Sequence, residues 1–133
     1  KNSMDEVTTD PNILYTGFIT DQEKLAYLQH SEALVIPSPY ESLSMVTLEA
    51  MALGKPVIAT EDSLVLKRHI DISKAGYTYK TQKDFSQVLK TILNLQDQEK
   101  TEIALKGKAY VNANYRWDAI VDKFEEAINY VSK

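Results

Sequence analysis

Short apolar runs alternate with amphipathic stretches through the first 80 residues, and this alternation limits the fold more than any other feature. The run Ala33-Leu34-Val35-Ile36 stops at Pro37, and a second run follows at Pro56-Val57-Ile58-Ala59. A continuous apolar run of this length is typical of a parallel strand buried on both faces. Between the two runs lies a helical stretch, Ser44 to Leu53, with Gly54 after it. The sequence therefore predicts a parallel sheet built from right-handed crossovers.

The rest of the pattern extends this unit in both directions. A strand that ends at Gly17 is predicted at Ile13–Tyr15, and a weaker strand is predicted at Tyr77–Tyr79. Further helices are predicted at Asp21–His30, at Leu64–Ile70, from Gln82 through Leu93, at Gln98–Asn114 and from Trp117 to Val131. We expect an α/β fold, with a Rossmann-like parallel sheet, helices on both faces, and a run of helices at the end.

Two residues of the closing helices carry specific expectations. Gly107 lies inside a predicted helix, where glycine is expected to be a weak point. Trp117 begins an apolar stripe that we expect to face the core. The other members of this stripe recur at helical spacing: Ile120, Val121, Phe124, Ala127, Ile128 and Val131.

Composition excludes several classes of protein. The chain has 133 residues and no cysteine, so we expect one domain without disulfides, thiolate metal sites or thiol catalysis. The net charge of −4 argues against nonspecific nucleic-acid binding. Because there is neither an apolar run long enough for a membrane span nor a signal peptide, we expect a cytoplasmic location. The non-methionine Lys1 and the polar leader over residues 1–11 indicate a piece of a longer chain.

The segment from Pro37 to Pro56 carries the chemistry. Parallel sheets bind ligands beyond the carboxyl ends of their strands, which here are the loops at 17–21, 37–44 and 60–64. The predicted helix begins near Ser44, so backbone N–H groups around Ser44, Met45 and Val46 lack intrahelical partners. Together with the positive end of the helix dipole, they form an anion site.

Two carboxylates flank this helix start. Glu49 lies inside the helix, and the residues three and four positions away from it are all apolar. A carboxylate there either binds a ligand, pairs with a buried partner, or reaches the rim of the protein. Glu41 lies in the preceding loop, where a glutamate is also commonly just solvated. Together they suggest a cradle for a molecule with hydroxyl groups at both ends and phosphate in the middle.

The frame Pro-Ser-x-x-Glu-x₇-Glu-Ala-Met-Ala-x-Gly-x-Pro-Val, from Pro37 to Val57, strongly resembles the donor-binding signature of glycosyltransferase family 4, also called glycosyl transferases group 1. The resemblance extends to Leu14–Ile19, to Val65–Tyr77 and to Tyr115-Arg116-Trp117. It implies the C-terminal, donor-binding half of a GT-B fold. The acceptor-binding domain and the upstream basic residues that clamp the diphosphate would lie outside this chain.

The resemblance also implies roles for individual residues. Glu41 would contact the hydroxyls and reacting end of the donor sugar, and Glu49 would accept from the ribose hydroxyls. The backbone at Leu43, Ser44 and Met45 would meet the sugar and distal phosphate. Ile19 would pack beside the base, with Asp21 and Lys24 as weaker candidates for base contacts.

One departure from the family lies in the loop itself. Many members have Gly-Phe-Gly after the first glutamate, and here the residues are Ser42-Leu43-Ser44. Since serine adopts positive φ less readily than glycine, either the loop is less tight or its hydroxyls add contacts.

The two histidines have structural interpretations. His30 ends a helix, where an imidazole favours the negative end of the dipole. His69 follows Lys67 and Arg68 and is interpreted as part of a solvated face, with a supplementary phosphate contact as the functional alternative. Because no Asp-x-Asp motif and no spacing of metal ligands occurs, we expect no required metal and no cofactor.

The function implied is donor binding in a retaining, hexosyltransferase-type glycosyltransferase that uses a nucleotide-diphospho-sugar. We expect this chain alone to be inactive, because its partner, the N-terminal acceptor domain, is missing. For the helix over residues 117–131, we expect either packing onto the chain's own sheet domain or a homodimer with a second copy. Two alternatives stay open: a noncatalytic α/β nucleotide-binding or regulatory module, and another GT-B enzyme such as a nucleotide-sugar epimerase.

Overall fold

The computed structural model describes residues 10–131 and contains one sheet of three parallel strands. The strands are β1 (Leu34–Ile36), β2 (Val57–Thr60) and β3 (Gly76–Tyr79), in the order β1-β2-β3. Leu34 pairs with Val57, and Val57 pairs with Gly76. One helix joins each strand to the next, so the predicted strand–helix–strand units are confirmed.

Six helices accompany the sheet, and all begin or end within a few residues of the predicted positions. They are α1 (Asp21–His30), α2 (Met45–Ala52), α3 (Leu64–Ser73), α4 (Gln82–Leu93), α5 (Asp97–Tyr115) and α6 (Trp117–Val131). Thr20 and Thr81 form capping boxes at the starts of α1 and α4, which satisfy backbone donors there. The helix α3 runs three residues beyond the predicted Ile70, to Ser73, and Lys74 follows it as a left-handed C-cap.

The core lies around β2, whose four residues are all buried. Since successive side chains of a strand point to opposite faces, both faces of β2 are covered. Val57 and Ala59 belong to a core cluster that also holds Met51 and Leu66 from α2 and α3. The helix α4 packs on β3, where the rings of Phe85 and Tyr79 meet edge to face with centroids 5.1 Å apart. The predicted α/β fold is therefore confirmed.

Two strand predictions need correction at the β1 side of the sheet. Ala33–Ile36 is not buried on both faces, because Val35 is exposed and β1 is an edge of the described sheet. Ile13–Tyr15 is not a strand, and its side chains are exposed. A strand needs a partner for its backbone groups, and no strand in the described part of the chain pairs with these residues.

Gly107 lies inside the unbroken helix α5, where its missing side chain lets α5 approach α2, and its expected weakness as a helix residue stays a prediction. A Cβ atom at Gly107 would lie 2.9 Å from the carbonyl oxygen of Met51 and 3.2 Å from the Cβ of Ala75. Gly54 takes the predicted place after α2 with φ of +76°, and a Cβ there would lie 2.8 Å from the Cβ of Ala104. The two glycines allow the close packing that fixes α2 against α5.

The prediction that Trp117 belongs to the core is wrong. Its side chain is 82% exposed, and α6 has no buried residue. In the described part of the chain α6 packs mainly on α5, so the apolar stripe lacks the surface that would cover it. The expected homodimer through this stripe stays a prediction.

Candidate functional site

The loop from Pro37 to Ser44 leaves the carboxyl end of β1 and turns sharply into α2. Ser44 is the N-cap and lies in the left-handed region, with φ of 59° and ψ of 74°. Its buried hydroxyl lies 2.8 Å from the Thr47 hydroxyl. The loop is therefore as tight as the glycine-containing pattern implies, and the Ser44 hydroxyl bonds within the protein. A left-handed serine costs about 1–2 kcal/mol, which the surrounding contacts must offset.

The start of α2 presents backbone donors. Among residues 10–131 no acceptor is within hydrogen-bond reach of the N–H groups of Ser44, Met45 and Val46. The first partners along the helix are Thr47 N–H and Leu48 N–H, which donate to the Ser44 carbonyl at 3.0 and 3.3 Å. The helix dipole adds partial positive charge at the same place. This end of α2 can therefore bind an anion such as a phosphate.

Glu49 lies about 7.5 Å further along the α2 axis than Ser44, at a rise of about 1.5 Å per residue. Lys24 of α1 places its Nζ 3.0 Å from both carboxylate oxygens, but donates a hydrogen bond only to Oε1. Oε2 is buried and accepts no hydrogen bond from the described residues. The structure thus shows a paired glutamate, one of the alternatives from the sequence, with both carboxylate oxygens beside the Lys24 ammonium.

Lys24 also contacts Asp21, with its Nζ 3.0 Å from Asp21 Oδ1. The hydrogen bond to Glu49, followed by that to Asp21, raises the pKa of the Lys24 ammonium above its ordinary value. The ammonium is therefore charged at neutral pH and holds α1 beside the Glu49 carboxylate. Asp21 itself is almost fully exposed.

Glu41 lines an open cleft of about 640 Å³ at the carboxyl edge of the sheet. Pro39 to Ser42 form one wall, and Asp62 to Val65, from the loop after β2 and the start of α3, form the other. Sequence reasoning marked the loop at 60–64 but missed Asp62 as a second carboxylate in this cleft. The signal was its position after a neighbouring parallel strand, since such loops meet at one sheet edge.

The structure brings some predicted site residues together and separates others. Ser44 caps α2, which carries Met45 and Glu49, while Glu41 lines the cleft. Leu43 lines a different cavity of about 360 Å³, together with Tyr115 and Phe124. Ile19 is exposed just before α1, the helix that carries Lys24 to Glu49.

The histidines differ from each other. His30 ends α1 and places its Nδ1 2.8 Å from the Ala26 carbonyl, which confirms its structural role. His69 is not part of a solvated face, because it is only 4% exposed. Its ring nitrogens contact the Tyr110 hydroxyl and the Leu43 carbonyl. The prediction failed because both partners are distant in sequence.

Two features are absent from the described residues. No helix within residues 10–131 is long and apolar enough to cross a membrane. In the same part of the chain no three His, Asp or Glu side chains converge as metal ligands do. The expectation that no metal is required stays a prediction.

The parallel sheet, its covering helices and the closing run of helices form an α/β protein of the half GT-B type. A family model described as "Glycosyl transferases group 1" matches residues 1–112, and the chain belongs to this family. No solved structure matches the chain significantly.

Several curated proteins are similar to the chain. It is 32% identical over 113 residues to "Glycosyltransferase 1 domain-containing protein 1" of Xenopus tropicalis, covering 83% of this chain and 31% of that protein. It is 31% identical over 98 residues to "Lipopolysaccharide 1,2-N-acetylglucosaminetransferase" of Salmonella typhimurium, covering 72% and 26%. It is 28% identical over 114 residues to "Phosphatidyl-myo-inositol mannosyltransferase" of Propionibacterium freudenreichii, covering 81% and 28%. The chain thus spans less than a third of these relatives.

Proposed function

We propose that the chain is the donor-binding part of a cytoplasmic, retaining glycosyltransferase that transfers a hexose from a nucleotide-diphospho-sugar. The family membership supports sugar transfer in general. The finer parts of the proposal rest on α2, where an anion site and a carboxylate lie on one short helix. The activity of a whole enzyme also needs an acceptor domain, which we propose as the partner of this chain.

Glu49 is the proposed ribose ligand. A ribose hydroxyl needs an acceptor, and the Glu49 carboxylate, whose side chain is 26% exposed, accepts a hydrogen bond only from Lys24 among the described residues. Lys24 orients the carboxylate through its contact with Oε1. Because a carboxylate has about four lone-pair sites, ribose can donate to Glu49 while Lys24 stays paired with it. This acceptor beside the open start of α2 is the observation that carries the proposal.

The start of α2 is the proposed phosphate site. The N–H donors of Ser44, Met45 and Val46 lie at the N-terminal end of α2, nearer to the sheet edge than Glu49. The Glu49 side chain leans toward the same end, as helix side chains do. A nucleoside diphosphate laid along α2 would place ribose at Glu49 and its distal phosphate at these donors. In transfer, the same donors would stabilise the diphosphate as it leaves.

Glu41 is the proposed contact of the donor sugar. It lines the cleft beyond the start of α2, and the cleft volume is in the range of ordinary ligand sites. A carboxylate there can accept hydrogen bonds from sugar hydroxyls and orient the reacting carbon. We assign it this orienting role and not that of a nucleophile. Ile19 is the proposed neighbour of the base.

Saturation-transfer NMR with UDP-, GDP- and ADP-sugars tests donor binding on the chain as it is. We expect one base to be preferred and the ribose protons to be saturated strongly. A sugar-transfer assay run beside it should show no turnover, because the acceptor half is absent. Lack of saturation for every nucleotide would contradict the proposal. If an assembly with an acceptor domain binds the nucleotide-sugar but transfers no sugar, the result would favour a regulatory module.

A further inference from the structure

Three aromatic rings lie beneath the loop that precedes α2. His69 of α3, Tyr110 of α5 and Tyr115 at the end of α5 contact one another edge to face, with ring centroids 5.6 to 5.9 Å apart. His69 and Tyr110 are both buried. Such a cluster is rigid because each ring is packed against two others.

The hydrogen bonds of this cluster run in one direction when the His69 ring is neutral. Nε2 lies 2.9 Å from the Leu43 carbonyl oxygen, which can only accept, so Nε2 carries the proton. Nδ1 then accepts from the Tyr110 hydroxyl at 2.8 Å. The Tyr115 hydroxyl, 3.3 Å from that of Tyr110, donates in turn. Burial, followed by the bond with Tyr115, raises the pKa of the Tyr110 phenol well above its ordinary value, which keeps it a donor.

The end of this chain of hydrogen bonds fixes one peptide unit of the loop. The Leu43–Ser44 peptide is planar and trans, so the Ser44 N–H points opposite to the Leu43 carbonyl. Because the carbonyl is held by His69, the N–H is directed away from His69. Ser44 is also the left-handed N-cap, where serine does not favour the observed backbone. An anchor on the preceding carbonyl opposes relaxation of that turn.

We propose that His69 is a positioning residue, oriented by Tyr110 and Tyr115, which holds the Ser44 N–H toward the distal phosphate of the donor. The inference rests on the proposed function and adds to it a residue that touches no ligand. In a glycine-containing loop, the glycine would adopt the left-handed turn readily. Here residues of α3 and α5 hold the turn in place from outside the loop. This chain of hydrogen bonds connects the core of the domain to the start of α2.

Two substitutions at one position separate positioning from packing. His69→Gln keeps an N–H that can donate to Leu43 but loses the ring. His69→Phe keeps a ring against Tyr110 and Tyr115 but loses the donor. If His69 positions the loop, Gln should retain affinity for a nucleoside diphosphate better than Phe, whereas stability should follow the ring. His30→Gln is the matched control, since it removes the only other histidine and should leave affinity unchanged.

The probes are UDP, GDP and ADP with their monophosphates, measured by calorimetry. For the base that binds best, we expect His69→Phe to raise the Kd of the diphosphate about tenfold and that of the monophosphate less than about twofold, since only the distal phosphate meets Ser44. A tenfold change corresponds to about 1.4 kcal/mol. Equal Kd values for wild type and His69→Phe would overturn the inference and leave the donor site intact. No binding of any probe by wild type would overturn both.

Imidazole NMR gives a test that does not depend on nucleotide binding. With only two histidines, the ring nitrogens of His69 can be assigned, and we expect the Nε2–H tautomer. If His69→Phe does not fold, Tyr110→Phe replaces it, and we expect it to weaken diphosphate binding about threefold. An Nδ1–H tautomer in wild type, or unchanged affinity in Tyr110→Phe, would overturn the inference.

Discussion

Helices α2 and α6 are both rich in apolar residues, yet their surroundings are opposite. Four of the eight residues of α2 are buried, and the helix lies against β1, β2 and α5. None of the fifteen residues of α6 is buried. The comparison teaches that an apolar stripe marks a face that can be buried, whereas burial itself depends on a partner. It also shows why α2 can hold a ligand site: its backbone is fixed from several sides.

The largest expected difference between buried and exposed positions can be measured with two methionines on α2. Met51 is fully buried and Met45 is 61% exposed. Met51→Ala should lower the free energy of unfolding by about 2–5 kcal/mol, because it leaves a cavity in the core. Met45→Ala should lower it by less than about 0.5 kcal/mol. Urea unfolding measures both, and similar losses would mean that α2 is not packed as described.

The next effect is on affinity and not on folding. Glu49→Ala should weaken binding of the preferred nucleotide by roughly tenfold to a hundredfold, since it removes a charged acceptor of the ribose hydroxyls. The free energy of unfolding should change by less than about 1 kcal/mol, because the ion pair with Lys24 is partly exposed. Calorimetry and urea unfolding together measure the two effects.

Glu32→Ala is the control for that substitution. It also removes an ion pair, with Lys100 at 3.0 Å, but it lies outside the proposed donor site. Its nucleotide affinity should equal that of wild type. A Glu49→Ala protein that binds normally but unfolds much more easily would show that Glu49 is structural.

Exposure of the α6 stripe leads to a smaller expected effect, weak self-association. Light scattering over a concentration series should show a mass that rises toward that of a dimer. Phe124→Asp should keep the chain monomeric, because Phe124 is an exposed member of the stripe. Leu105→Asp is the control: Leu105 is also exposed but lies on α5, so this substitution should not change the association. A constant monomer mass for wild type would count against the homodimer.

The smallest expected effect is at Trp117. Trp117→Ala should change the free energy of unfolding by less than about 0.5 kcal/mol at concentrations where the chain is monomeric. A tryptophan in a packed core would instead cost about 3–5 kcal/mol. Thermal or urea unfolding distinguishes the two. A loss of about 3–5 kcal/mol in the free energy of unfolding would show that Trp117 is part of the core and would contradict the contrast between α2 and α6.

The sequence predicted those parts of the fold that depend on local pattern. Apolar runs marked β1 and β2, and helical spacing located all six helices, because both signals arise from neighbours in the chain. Gly54 was predicted correctly since a positive φ after a helix is a local requirement. The segment at 13–15 has the composition of a strand, but no strand in the described structure pairs with it, and composition alone cannot supply a neighbouring strand.

The site was less predictable where it depends on pairs distant in sequence. Lys24 and Glu49 are 25 positions apart, and His69 lies 41 positions from Tyr110. No periodicity relates such residues, so the pairing of Glu49 stayed one of several alternatives and the burial of His69 was missed. The helix start at Ser44 was predictable because the orphan N–H groups follow from the helix alone.

The most direct test of the account is a backbone-amide NMR titration of the chain with the preferred nucleoside diphosphate. We expect the largest chemical-shift changes at the amides of Ser44, Met45 and Val46, with smaller changes near Glu49. A competing binding site for the nucleotide is the cavity of about 230 Å³ that is lined by Lys55, which precedes β2, and by Lys100 of α5. Shifts centred on those lysines, with the start of α2 unchanged, would contradict the proposed donor site.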